Sequence, residues 1–351
     1  SMTTALNDVA LHVQLAKQPP QLRFDPSRPL AEQRGPMEAR FRELLGFSRM
    51  PERPETVLPV LEYASTEDAR FDEIRFHFVP EPDFAVPCHM LLPKDRRPGE
   101  KLPVVICLQG HSTGMHISMG RKKFPRDEES LRGGDRDFAL QIVARGYIAV
   151  AMEQRGLGEL SPKVAWGGTG TMCHVAAMSA LSLGRTIQGE RAYDVSCLID
   201  ALEQFAVLRP GFDVSLDLER LAMMGNSGGG TTTYHAACVE PRIKVMMPSC
   251  SFNTYAASIM SLYHCTCNYI PDIVRWMEMP DLAVLLAPRP LIIVSGREDP
   301  IFPLEAVQEG FAEVQQIYTA AGKPENCRLI IGDGAHRFYA ADAWPVFDRY
   351  I

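Results

Sequence analysis

Residues 218–238 constrain the fold of this chain more tightly than any other stretch. An apolar run over 218–224 leads into Gly225-Asn226-Ser227-Gly228-Gly229, and small, helix-compatible residues follow over 231–238. That order predicts a strand, a sharp turn and a helix. A serine at such a turn projects its hydroxyl beyond the strand end, with a strained φ/ψ. Glycines two residues before and two after it let strand and helix pass close together. The turn also places backbone N–H groups at a helix N-terminus, where a developing oxyanion would sit.

The chain holds a second pentapeptide of this kind, Gly110-His111-Ser112-Thr113-Gly114, after the apolar run 102–108. Position separates the two. The turn resembles the nucleophile turn of the α/β-hydrolase superfamily, and that resemblance implies the nucleophile first, its acid next and its histidine last. Ser227 has two strand–loop units downstream, and each ends in a residue of the required type. Strand 291–295 runs into Gly296-Arg297-Glu298-Asp299-Pro300. Asp299 is favoured as the acid because it lies a few residues past the strand and Pro300 stiffens the turn; Glu298 competes. Strand 327–331 ends in Gly332-Asp333-Gly334-Ala335-His336, and a histidine on a glycine-flanked loop can reach a serine on another loop as general base. Ser112 is then a loop serine. Gln109-Gly110-His111 becomes the loop that donates one N–H to the oxyanion, the other coming from Gly228. His111 N–H is the first choice and Ser112 N–H the alternative, with Gln109 orienting the loop.

Buried-strand patterns alternate with helical ones from about residue 71 onward. Strands are expected at 74–79, 86–92, 102–108, 147–152, 218–224, 243–248, 291–295 and 327–331, with helices at 138–145, 191–208 and 231–238 between them. This predicts an α/β fold with a mostly parallel sheet, helices on both faces and an antiparallel first pair. Residues 1–70 are polar and proline-punctuated, with one helix candidate at 37–45, and read as an N-terminal arm packed on a main domain at 71–351. Two long inserts, 156–190 and 251–285, follow strand ends, where open sheets of this class bind ligands. Trp166, Met172, Phe252, Tyr255, Tyr263, Tyr269 and Trp276 are expected to wall the pocket, with the loop histidines His111, His174 and His264 as contact candidates. Gln109, Ser112 and His116 join them from the first loop.

A net charge of −7 argues against nucleic acid as a partner, and no Lys/Arg block suits a membrane surface. No apolar run reaches the ~18 residues of a membrane-spanning helix. The first residues show no signal-peptide pattern. The nine cysteines are odd in number, and Cys107, Cys197 and Cys238 fall in apolar patterns. Free core thiols in a reducing, cytoplasmic setting are therefore expected. His264-Cys265-Thr266-Cys267 offers too few ligands at metal-like spacing, so a packed segment is expected there and no metal.

With these residues in place the chain resembles the α/β-hydrolase superfamily from about 71 to the end. Within it, the chain looks most like acetyl xylan esterase and dienelactone hydrolase-like serine esterases with an N-terminal arm. The matching pieces include Gln109-Gly110-His111-Ser112, Gln154-Arg155-Gly156-Leu157-Gly158-Glu159, Ala287-Pro288-Arg289-Pro290-Leu291 and His336-Arg337-Phe338, beside the two site loops already named. The resemblance implies a serine carboxylesterase acting on short, acetyl-like acyl esters, with carbohydrate acetyl esters one candidate class, through Ser227, His336 and Asp299. It implies no cofactor and a small-molecule ester as partner. Two departures stand out: a serine where dienelactone hydrolases carry cysteine, and Gln109 where a histidine usually precedes the loop glycine. A serine exopeptidase or amidase of the same fold is the alternative, and a non-catalytic ligand-binding homologue a further one. The sequence is silent on oligomeric state.

Overall fold

The computed structural model describes residues 7–161, 173–208 and 210–351. Nine strands form one sheet: β1 Val60–Ser65, β2 Phe71–Glu81, β3 Phe84–Pro93, β4 Leu102–Leu108, β5 Ile148–Met152, β6 Leu216–Asn226, β7 Val245–Ser249, β8 Leu291–Gly296 and β9 Cys327–Gly332. Their order across the sheet is β1-β2-β3-β5-β4-β6-β7-β8-β9. β1, β2 and β3 pair antiparallel, as do β3 and β5; every pair from β5 onward is parallel. The expected class, a mostly parallel sheet with an antiparallel start, is therefore the observed one. β1 lies on the arm side of the boundary expected at residue 70 and extends the sheet edge.

The parallel strands are apolar along their whole length because both faces are covered. Val104, Ile106 and Leu108 point to one side of β4, with the helices Ile187–Glu203, Gly228–Val239 and Leu304–Ala320. Val105 and Cys107 point to the other, with Phe138–Ala144 and Ala340–Phe347. Strand order reverses between β4 and β6: the chain leaves β4 toward β5 on one side and reaches β6 on the other. A crevice opens at such a switch point, beyond the carboxyl ends of the two strands. Both serine-bearing turns emerge there.

Several helix boundaries differ from expectation. The helix expected at 37–45 begins at Leu30 and runs through Pro36. Leu30, Met37, Phe41 and Leu45 are all buried along one stripe, and that packing outweighs the lost N–H of the proline. Arg34 fastens this helix by donating to the carbonyls of Val284 and Ala287. The helix expected at 191–208 spans Ile187–Glu203 because Thr186 caps it, its hydroxyl accepting from Gly189 N–H at 2.9 Å. A short helix, Asp127–Gly134, interrupts the stretch expected to be a loop over 112–136. Among the described residues no helix is long and apolar enough to cross a membrane.

One buried carboxyl carries a stability prediction. Glu153, at the end of β5, is 2% exposed and accepts only two backbone N–H groups, from Met115 and Glu159, each at 3.3 Å. Burial pushes its pKa up to about 7. The folded state therefore keeps a proton that the unfolded chain releases at its ordinary value of about 4.3. Stability falls as pH rises between these two values, by on the order of 3 kcal/mol. Glu153→Gln is expected to flatten that part of the curve, measured by denaturant unfolding at intervals across the window. Parallel slopes for both proteins would refute the assignment.

Candidate active site

Ser227 sits between β6 and the helix Gly228–Val239 with φ 57° and ψ −120°, a conformation that a non-glycine residue adopts only under strain. The flanking glycines are sterically required. A Cβ on Gly225 would meet the Gly229 backbone at 2.5 Å, and one on Gly229 would meet the Leu108 carbonyl oxygen at 2.1 Å. The β4 loop is equally tight against the turn. A Cβ on Gly110 would fall 2.6 Å from the Asn226 carbonyl oxygen and 2.8 Å from the Ser227 Cβ. The turn is thus wedged between neighbouring strands and holds its strained geometry by packing.

His336 Nε2 stands 2.8 Å from Ser227 Oγ, and His336 Nδ1 stands 2.7 Å from Asp299 Oδ2. The Asp299 side chain is wholly buried. Its Oδ1 accepts from Ile301 N–H at 3.0 Å and Phe302 N–H at 3.2 Å, so the carboxylate is held by the loop that follows β8. The Phe302 ring stacks on His336 with centroids 5.8 Å apart and planes 14° from parallel, which fixes the imidazole plane. Glu298 is exposed and meets this loop only through its backbone N–H, which donates to Gly334. The geometry selects Asp299 over Glu298. This arrangement can draw the proton from Ser227 Oγ while a carboxylate holds the imidazole tautomer.

Ser112 N–H is already engaged by the Gly110 carbonyl at 2.8 Å. His111 lies beside Gly228 across the turn, its ring 3.3 Å from where a Gly228 Cβ would be. Ser112 Oγ accepts from Gly114 N–H at 3.4 Å and meets no histidine nitrogen among the described residues. Gln109 is buried and donates to Ser118 Oγ and the Arg136 carbonyl, tying the loop down as expected for an orienting residue.

A cavity of about 610 Å³ opens over Ser227 and His336. Its walls are only in part those expected. Phe252 is buried in the core against Tyr234. Tyr255 is buried with its hydroxyl 2.6 Å from His235 Nε2. Trp276 lies under the Arg40 guanidinium, 3.7 Å from its ring centre, and packs on the arm. His116 is buried against Asp127 at 2.8 Å, Gln109 is turned inward, and Ser112 borders a smaller cavity that adjoins this one at His111, Arg136 and His336. Phe252 and Tyr255 went to the core because burial there removes more apolar surface from water. Trp166 lies outside the described residues. Met172 does too, and Tyr269 lies away from this cavity. Of the expected residues Tyr263, His111, His174 and His264 do line it, joined by Arg136, Thr266 and Phe302, among others. The sequence signal was adjacency: Phe302 is three residues past Asp299, and His264 and Thr266 flank the first cysteine of the H-C-T-C stretch. Arg136 was legible only as one charge in a charged loop. Its Nη2 donates to the His336 carbonyl at 3.3 Å, and its buried Nε has no partner among the described residues.

Fold and site layout together define an α/β-hydrolase. The profile of the Abhydrolase family matches residues 10–337, and the chain belongs to that family. A curated relative, "Putative hydrolase YtaP" of Bacillus subtilis strain 168, is 22% identical over 237 residues, covering 67% of this chain and 73% of its own. Among solved structures, a "putative acetyl xylan esterase" from Bacteroides fragilis NCTC 9343 superposes with a TM-score of 0.73 at 17% identity, over 98% of this chain and 89% of that one. A glucuronoyl esterase from Solibacter usitatus superposes with a TM-score of 0.60 at 17% identity, over 96% and 98%. At these identities the structural likeness speaks for the fold.

Proposed function

We propose that the chain is a serine carboxylesterase that removes short acyl groups from a polar, carbohydrate-like alcohol. The observation that carries this reading is the relay Ser227–His336–Asp299, with Ser227 Oγ opening onto the cavity at 2.8 Å from its base. Ser227 Oγ attacks the ester carbonyl as His336 takes its proton. The tetrahedral oxygen is received by the N–H groups of His111 and Gly228. His336 then protonates the departing alcohol, and a water activated by the same imidazole releases the acid from the acyl-serine.

The cavity walls favour a short acyl group and a polar alcohol. Each methylene gains about 0.8 kcal/mol only where it leaves water for an apolar wall. Arg136, His174, His264, Thr266 and Asn268 offer polar groups to an alcohol, and the apolar part of the wall is confined to Tyr263, Ile301 and Phe302 beside Cys265. The fold neighbours named as carbohydrate esterases support the same substrate class. A p-nitrophenyl ester series is expected to peak in kcat/KM at acetate or propionate and to fall roughly tenfold or more by decanoate, because the apolar wall of Tyr263, Ile301 and Phe302 is too small to cover a long chain at about 0.8 kcal/mol per methylene. A peak at decanoate would remove the short-acyl reading. Aminoacyl-nitroanilides cleaved in preference to acetates would place the chain among peptidases. Activity on acetates with none on acetylated sugars would leave a general esterase.

A further inference from the structure

The H-C-T-C stretch does not stand alone in the folded chain. Cys265 and Cys267, from the 251–285 insert, meet Cys173, at the start of the helix Cys173–Ser182, and His111, from the β4 loop. One ligand atom from each lies within 4.8 Å of all the others. Cys267 Sγ is 3.2 Å from His111 Nε2. Four tetrahedral ligands at Zn–S and Zn–N bond lengths stand about 3.5 to 3.8 Å apart, so the cluster needs only a small contraction to close on one ion.

A second, independent feature points the same way. Arg191 is fully buried on the helix Ile187–Glu203, yet it has no carboxylate partner among the described residues, and the undescribed segments contain no Asp or Glu. Its Nη2 donates to Cys173 Sγ at 3.1 Å and to the Arg155 carbonyl at 2.8 Å, and its Nη1 has no partner among the described residues. The contrast with Arg155 is direct: that guanidinium pairs with Asp194, Glu81 and Glu190. A buried cation needs a counter-charge. Three neutral thiols supply none. Three thiolates and one neutral imidazole around a divalent ion carry a net charge of −1, which Arg191 balances.

We infer that His111, Cys173, Cys265 and Cys267 form a closed four-coordinate zinc site, with Arg191 as its buried counter-ion. Soft thiolates with one imidazole suit Zn²⁺, and four protein ligands leave no open position for a catalytic water. The ion is a staple. It ties the β4 loop to both inserts at the edge of the cavity over Ser227, and its histidine ligand is the residue whose backbone N–H faces the oxyanion position. The site does not depend on the esterase reading, since the ligand set stands whatever Ser227 does.

The test uses the full chain, without a histidine tag, purified from zinc-supplemented cells without chelator. Elemental analysis is expected to find about one zinc per chain, released on titration with p-hydroxymercuribenzoate, which competes for thiolates. Exchange with Co²⁺ is expected to give thiolate-to-cobalt charge-transfer bands and the strong visible bands of a tetrahedral ion. Cys265→Ser is expected to lower zinc content at least about tenfold, because Cys265 is one of only four ligands. Should that variant prove insoluble, mercurial release and the cobalt spectrum of the unaltered protein decide. Less than about a tenth of an equivalent of zinc, with Cys173, Cys265 and Cys267 freely alkylated or joined as a disulfide by mass spectrometry, would overturn the site. So would full zinc retention in Cys265→Ser.

Discussion

Replacing Ser227 by alanine is expected to lower kcat on p-nitrophenyl acetate by about 10⁴- to 10⁶-fold, the range seen when a nucleophile is removed from a working relay. The physical basis is local. Ser227 Oγ is the hydroxyl that His336 Nε2 meets at 2.8 Å, and no other serine among the described residues shares that partner. The proposed oxyanion donors, the N–H groups of His111 and Gly228, remain in the variant, so a residual rate above that in water should persist. Labelling by a fluorophosphonate probe should vanish together with turnover. Ser112→Ala is the control. Its hydroxyl only receives Gly114 N–H at 3.4 Å, and most activity should survive its loss. The opposite pattern, activity lost in Ser112→Ala and kept in Ser227→Ala, would reverse the choice of nucleophile.

Asp299→Asn is expected to cost about 10⁴-fold in kcat with little change in KM. The amide oxygen can still accept from Ile301 and Phe302, so the loop keeps its anchor. The amide nitrogen, however, presents a donor to His336 Nδ1, where the carboxylate Oδ2 accepted at 2.7 Å. The imidazole must then place its proton on Nε2, and it can no longer take one from Ser227. Glu298→Gln changes an exposed side chain whose backbone alone touches the loop, and turnover should stay within about twofold, as for surface substitutions generally. Comparable losses in the two variants would mean that the loop as a whole, and not the Asp299 carboxylate, supports the histidine.

The sheet and the three residues of the relay were legible because each carries a local signature. Strands buried on both faces read as unbroken apolar runs. The turn around Ser227 needs glycines where any Cβ would strike backbone, and such a demand is written in consecutive residues. Asp299 and His336 follow strands whose carboxyl ends must meet at one edge of a parallel sheet. Strand order along the chain therefore places them, even at a separation of more than one hundred residues from Ser227 to His336. Choosing Asp299 over Glu298 required the fold, because neighbouring carboxylates differ only in which one the loop turns inward.

Other features belong to tertiary structure alone. Whether Phe252 and Tyr255 face a ligand or the core depends on where more apolar surface is buried, and insert sequences do not state that competition. The proline in the arm helix is tolerated because Leu30, Met37 and Phe41 reach a core built by other segments. The gathering of His111, Cys173, Cys265 and Cys267 is the plainest case. Read along the chain, His264-Cys265-Thr266-Cys267 looks short of ligands, and its adjacent histidine turns out to face Ser258 at 2.9 Å instead. The missing partners, Cys173 and His111, lie 92 or more positions before Cys265, on a helix start and on the loop beside Ser227. By itself the sequence determined the elements and the chemistry each strand end delivers, since those depend on neighbours in the chain. The pocket wall and the cysteine–histidine cluster were decided only when the long inserts folded back over the sheet, because contact between distant loops is set by packing and leaves no periodic trace in the residues that make it.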